Sequence, residues 1–137
     1  MWESLRILPV LVSAIAVFAI GALWYSPLLF GKAWARAHGL SEEKLERMRA
    51  SAGPAYATSF ACYLVMAAAM SILIGRMDIT MLRGGVKLGA LLGLGFAATI
   101  GLTANVFSDK PLSAWLIDAG FQLAYLIVMG VILVAWR

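Results

Sequence analysis

Residues 7–30 read ILPVLVSAIAVFAIGALWYSPLLF, and no charged side chain interrupts them. A helix on the surface of a soluble domain shows a polar face at every second turn; this run has none. About 20 such residues cross the hydrocarbon core of a bilayer. The run is too long for the apolar core of a signal peptide and lacks a clean small-residue cleavage site, so it is expected to remain in the mature chain as a membrane span. Three further runs have the same character, at 55–74, 86–106 and 112–136; Lys87 marks the start of the third and Asp118 is the one charge inside the fourth. Backbone groups exposed to lipid must satisfy each other, which selects helices. The expected fold is all-α, a polytopic membrane helical bundle of four transmembrane helices forming a single domain over residues 1–137, with an amphipathic loop at 31–54.

Composition agrees with this. Of 137 residues, 63% are hydrophobic and 13% charged, whereas soluble domains carry about 25% charged residues. Eleven Lys/Arg against seven Asp/Glu give a net charge of +4, and basic side chains collect in loops beside spans. A nucleic-acid partner would require a basic stripe studded with aromatics, which the sequence lacks. The partners expected are membrane lipids and further copies of the chain. The single cysteine, Cys62, excludes an intramolecular disulfide and reads as a small buried hydrophobe.

Trp2, Trp24, Trp34, Trp115 and Trp136 all fall near span ends, the pattern of an interfacial aromatic belt. The motif Trp24-Tyr25-Ser26-Pro27 therefore reads as the place where the first helix reaches headgroup depth, with Lys32 extending to water and Trp34 lying along the surface. Pro27 removes a helical N–H and is expected to kink the last turns, either tilting the helix or opening a cavity beside Tyr25 and Ser26. In the loop, SEEKLERMRAS (41–51) predicts a short helix: Ser41 as N-cap, Glu42 and Glu43 at the positive end of the dipole, and Gly53-Pro54 as the stop. Glu43 and Arg47 are spaced to pair. Leu45 and Met48 give the helix a narrow apolar face to rest on the bundle or the membrane surface. His38 has no partner at metal-ligand spacing.

Gly85, Gly89, Gly93, Ala97 and Gly101 recur every four residues along the third run. Such a ridge lets another backbone approach closely in lipid, either a neighbouring span or a second copy; the row Ala57, Ala61, Val65 and Ala69 on the second run offers a match. On the fourth run Asp118, Gln122 and Tyr125 share a face, with Asn105 close by in sequence. A carboxylate inside a span faces protein or water. The set reads either as a proton or cation site or as a structural hydrogen-bond network. There is no catalytic constellation, no metal-ligand cluster and no cofactor fingerprint, so no enzyme activity is expected. The function expected is that of a homo-oligomeric minimal transporter or channel for an ion or small molecule, with a polar path along the fourth helix; the alternative is a structural or accessory membrane subunit.

Three stretches, GALWYSPLLFGKAW (21–34), NVFSDKPLSAWLIDAGFQL (105–123) and MGVILVAW (129–136), together resemble the DUF1761 family of small bacterial membrane proteins of unknown function. Asp118 stands where the family usually has asparagine, and Gln122 where it usually has histidine. The resemblance implies four spans and a bacterial cytoplasmic membrane, and carries no activity with it. Four spans put both termini on one side, together with Arg6, Arg76, Arg83, Lys87 and Arg137; the other side holds Lys32, Arg36, Lys44, Arg47, Arg49 and Lys110. The first helix has one basic residue before it and a cluster after it, which predicts a cytoplasmic 31–54 loop and both termini outside. The balance of the two sets leaves dual insertion open.

Overall fold

The computed structural model describes residues 5–136; Trp2 and Arg137, read above as interfacial and terminal-side residues, lie outside them. The elements are α1 (Ile7–Trp24), α2 (Gly31–Ala37), α3 (Glu42–Ala50), α4 (Gly53–Arg76), α5 (Leu82–Leu92), a π-helical turn (Gly93–Ala97), α6 (Ala98–Phe107) and α7 (Leu112–Ala135). Among the described residues there is no strand. Four segments are long and apolar enough to cross a membrane: Ile7–Trp24, Gly53–Arg76, Leu82–Phe107 and Leu112–Ala135. The chain is an all-helical membrane protein.

The first span ends earlier than its apolar run. The helix stops at Trp24, and Pro27 lies in the turn that follows rather than inside a kinked helix. That turn holds itself together: Phe30 N–H donates to the Trp24 carbonyl at 2.9 Å, Gly31 N–H to the Ser26 carbonyl at 3.0 Å, and the Ser26 hydroxyl to the Leu23 carbonyl at 2.6 Å. Gly31 is required there, because a Cβ would run into the carbonyl groups of Tyr25 and Ser26. The loop then forms two helices where one was expected. Ser41 caps α3 by accepting from Lys44 N–H, as the sequence indicated. Glu43 and Arg47 stay apart, and no ion pair forms among the described residues; an exposed pair of this kind gains only about 0.3–0.5 kcal/mol against the entropy of two long side chains.

Three helices end in the same way. Leu40, Ile79 and Lys110 N–H groups reach back to the carbonyls of Ala35, Ile74 and Asn105, with Gly39, Asp78 and Asp109 in the left-handed conformation just before them. This is the Schellman arrangement, which satisfies the carbonyls a helix terminus would otherwise leave bare.

The bundle is organised around α7, which packs most extensively on α5 and also touches α1, α2, α4, the π turn and α6. The second strong contact is α1 on α4. The glycine ridge is the reason α5 lies so close to α7. A Cβ on Gly85 would meet the Gly130 carbonyl, one on Gly89 the Leu126 carbonyl and Ile127 Cα, and one on Gly93 the Leu123 side chain. The ridge therefore packs within the chain, and its partner is the fourth span. The row Ala57, Ala61, Val65 and Ala69 on α4 is exposed instead. Cys62 is exposed as well, a correction to its reading as a buried residue. In lipid an apolar side chain gains little by turning inward, since the solvent is as apolar as the core.

A row spaced by four residues advances about 40° per step on an α-helix, so a long ridge would wind away from its partner. The π turn at Gly93–Ala97 contains more residues per turn and takes back part of that drift, so that Gly101 still lies 3.7–3.8 Å (as a Cβ) from Trp115 and Gln122 of α7. At the other end of the bundle, Arg6 Nη1 donates to the Trp136 carbonyl at 3.5 Å, which brings the start of α1 beside the end of α7. The buried core between them contains Val17, Met70, Ile74 and Met129, with Ser13 fully buried and its hydroxyl unpartnered.

Two substitutions on one helix separate close approach from simple apolarity. Gly89→Leu collides with backbone and is expected to destabilise the bundle by about 1–3 kcal/mol or more, seen as a lower thermal midpoint in detergent. Gly95→Leu, where nothing lies within 4 Å, is expected to hold or raise it. Equal midpoints would contradict the packing. Ser13→Ala removes an unpaired buried hydroxyl and is expected to be neutral or stabilising.

Candidate functional site

Asp118 lies six residues into α7, about 9 Å along its axis. It is half-buried, and its Oδ1 accepts a hydrogen bond from the Tyr25 hydroxyl at 2.5 Å. One residue earlier on each helix, Trp24 Nε1 donates to the Ile117 carbonyl at 3.0 Å. Two consecutive residues at the end of α1 are thus fastened to two consecutive residues near the start of α7. Small residues make room for this. A Cβ on Gly120 would lie 3.1 Å from the Trp24 ring, and one on Gly21 would lie 3.1 Å from the Phe121 ring.

Around the pair runs a file of rings. His38 packs on Trp34 at 4.3 Å between centroids, Trp34 on Tyr25 at 6.0 Å and Tyr25 on Phe121 at 5.3 Å. Phe121 then meets Tyr125 at 4.8 Å and Tyr125 meets Tyr63 at 5.5 Å. The file leads from the loop helix α2 into the interior of the bundle, where Phe121 and Tyr125 are buried. Trp34 is therefore packed on protein, not laid along the surface, because α2 folds back against α7. His38 Nε2 is buried without a hydrogen-bond partner. Among the described residues, no group of three His, Cys, Asp or Glu converges on one point.

The four polar residues read from the sequence do not form one cluster. Asp118 faces α1 through Tyr25. The Tyr125 hydroxyl points to α4 and approaches Met66 Sδ at 3.4 Å. Gln122 lies toward α6, its Oε1 3.8 Å from a Cβ placed on Gly101. Asn105 spans the α6–α7 turn, donating to the carbonyls of Lys110 and Pro111 at 3.1 and 3.3 Å. Nor does the polar face continue: inward of Tyr125, α7 buries Leu126, Met129 and Leu133. The family model described as a protein of unknown function, DUF1761, matches residues 8–134. The chain belongs to the DUF1761 family. No curated protein and no solved structure matches it.

In this DUF1761 chain the two ends of the site come from stretches 93 residues apart, and it is their joining that the sequence did not reveal. The sequence reads Trp24 and Tyr25 as interfacial residues and does not reveal their partners. The one available signal was the pairing of two aromatic donors in tandem with a lone carboxylate at similar depth.

Chemically, the pair is a carboxylate held by a neutral donor. Among the described residues no lysine or arginine nitrogen forms an ion pair with Asp118, and its side-chain partner is the Tyr25 hydroxyl. A hydrogen bond to a charged group contributes about 1.5–3 kcal/mol. A double-mutant cycle over Tyr25→Phe and Asp118→Ala, read from detergent unfolding, is expected to return a coupling energy of that size. Additive effects would show that the contact carries no stability.

Proposed function

We propose that this DUF1761 protein is a homo-oligomer of the bacterial cytoplasmic membrane that passes protons or small cations, with Asp118 as the exchanging group, and that it is not an enzyme and uses no cofactor. The observation that carries this reading is the Tyr25–Asp118 pair. Asp118 is the one acidic residue in any of the four spans, and a neutral phenol holds it where a fixed cation would have locked it. Carboxylates placed within spans commonly mark ion and proton pathways. A proton or cation arriving at Asp118 competes only with the Tyr25 hydrogen bond.

Because α7 is apolar and packed beyond Tyr125, any route across the rest of the membrane runs between copies. The third span supports such an assembly: it is the least buried of the four and presents Leu91, Leu94, Phe96 and Ile100 outward. We place the 31–54 loop in the cytoplasm and both termini outside, from the basic cluster that follows the first helix. The alternative, a structural or accessory subunit, has its own support, since Trp24 and Tyr25 use their polar groups to tie α1 to α7.

Proteoliposomes with a trapped pH dye and a clamped potassium potential distinguish the two. The transport reading expects flux above that of protein-free vesicles and a loss of at least about ten-fold in Asp118→Asn, which keeps an acceptor for Tyr25 but not the charge; ten-fold corresponds to about 1.4 kcal/mol. Flux indistinguishable from empty vesicles, for protons and for sodium or potassium, would refute transport and leave the structural role.

A further inference from the structure

An open groove runs between α1 and α4, lined by Ile15, Phe18, Ala19, Tyr56, Ala57 and Phe60. Its walls are aromatic: Phe18 meets Tyr56 edge-on at 5.8 Å and Phe60 edge-on at 6.2 Å. Its floor is shallow, because Ala19 and Ala57 are small. Ile15 lies nine residues before the end of α1, about 13 Å, and Tyr56 lies in the first turn of α4. The groove therefore covers roughly the depth of one leaflet on the loop side, with its open end at the interface.

Toward that end the chain turns basic, within a helix, α3, that as a whole carries three acidic and three basic side chains. α3 runs into α4 through Ser51 and Ala52 alone, and its last turn carries Arg47 and Arg49. Both are exposed, and neither forms an ion pair among the described residues. The N terminus of α4 has no side-chain cap, and Pro54 leaves the amides of Gly53 and Ala55 as its free donors. Amides at a helix N terminus and the positive end of its dipole favour phosphate. Tyr56, 53% exposed, sits between the basic end and the apolar trough, where its ring matches the membrane interface.

We propose that this groove is a binding site for one anionic phospholipid, an acyl chain lying along Phe18, Ala57 and Phe60 and the phosphate held by Arg47, Arg49 and the start of α4. The assignment is to a lipid in the bilayer, because Tyr56, which lines the apolar trough, lies in the first turn of the helix that directly follows the basic end of α3. It is independent of whether Asp118 moves ions.

The test is native mass spectrometry of the full chain released from detergent, titrated separately with dioleoyl phosphatidylglycerol, dioleoyl phosphatidylcholine and glycerol 3-phosphate. The site predicts a single phosphatidylglycerol adduct per chain, preferred by about thirty-fold over phosphatidylcholine, the effect of two basic side chains near the surface on an anionic lipid. Arg47→Gln with Arg49→Gln should bring the two lipids level. Ala57→Phe, which fills the trough at an exposed position, should weaken both lipids while helicity and elution volume stay unchanged. Equal binding of the two lipids by the parent chain would overturn the proposal. So would glycerol 3-phosphate matching the lipid, which would indicate a free-phosphate site. A third contrary outcome is Ala57→Phe altering the oligomeric mass while lipid adducts persist, which would assign the groove to a second copy.

Discussion

The bundle depends on the contact between two backbones. Where Gly85 meets Gly130 and Gly89 meets Leu126 and Ile127, α5 and α7 touch without side chains between them. In water, a hydrophobic face alone would bring two helices together; in lipid that force is missing, and close packing must supply the association. The remaining spans are arranged by what is left of the surface of α7. Once α5 occupies the glycine face, α1 and α4 take the side bearing Phe121, Tyr125 and Met129. The aromatic file and the carboxylate then fall at the junction of α1 with α7.

The Tyr25–Asp118 pair is the polar counterpart of that contact. It closes the loop end of the bundle, while packing alone closes the middle. The turn that delivers Tyr25 is fixed by its own hydrogen bonds and by Gly31, so the phenol is positioned by local structure before it meets Asp118. The same residues thus serve two demands. They anchor α1, and they hold a half-buried carboxylate near the start of α7.

The sequence disclosed what lipid dictates and concealed what side chains negotiate. Long apolar runs located four membrane-length helices, and the four-residue glycine period falls where α5 lies against α7, because both follow from rules that act on every residue alike. The end of α1 was misread, since apolar content continues through Leu28 to Phe30 after the helix has stopped; hydropathy does not register a turn that satisfies its own backbone. α2 was missed because seven residues with little periodicity give no signal. Asn105 was grouped with the polar residues of the fourth run as a neighbour, yet its amide finds the carbonyls of the next turn. Nothing in the residue pattern forecasts the π turn. Its effect is to take up part of the mismatch between a period of four and the 3.6 residues of an α-helix.

The central place of α7 has a consequence for how the protein is made. Of the four spans it is the last in the chain, and domains acquire structure as synthesis proceeds from the N terminus. The ribosome has therefore delivered α1, α4 and the α5–α6 segment into the bilayer before their common partner exists. Until then the glycine face of α5 has only lipid against it, and the phenol of Tyr25 has no carboxylate. A nascent chain stalled before α7 could pack α1 on α4 but would lack both the glycine contact and the Tyr25–Asp118 bond.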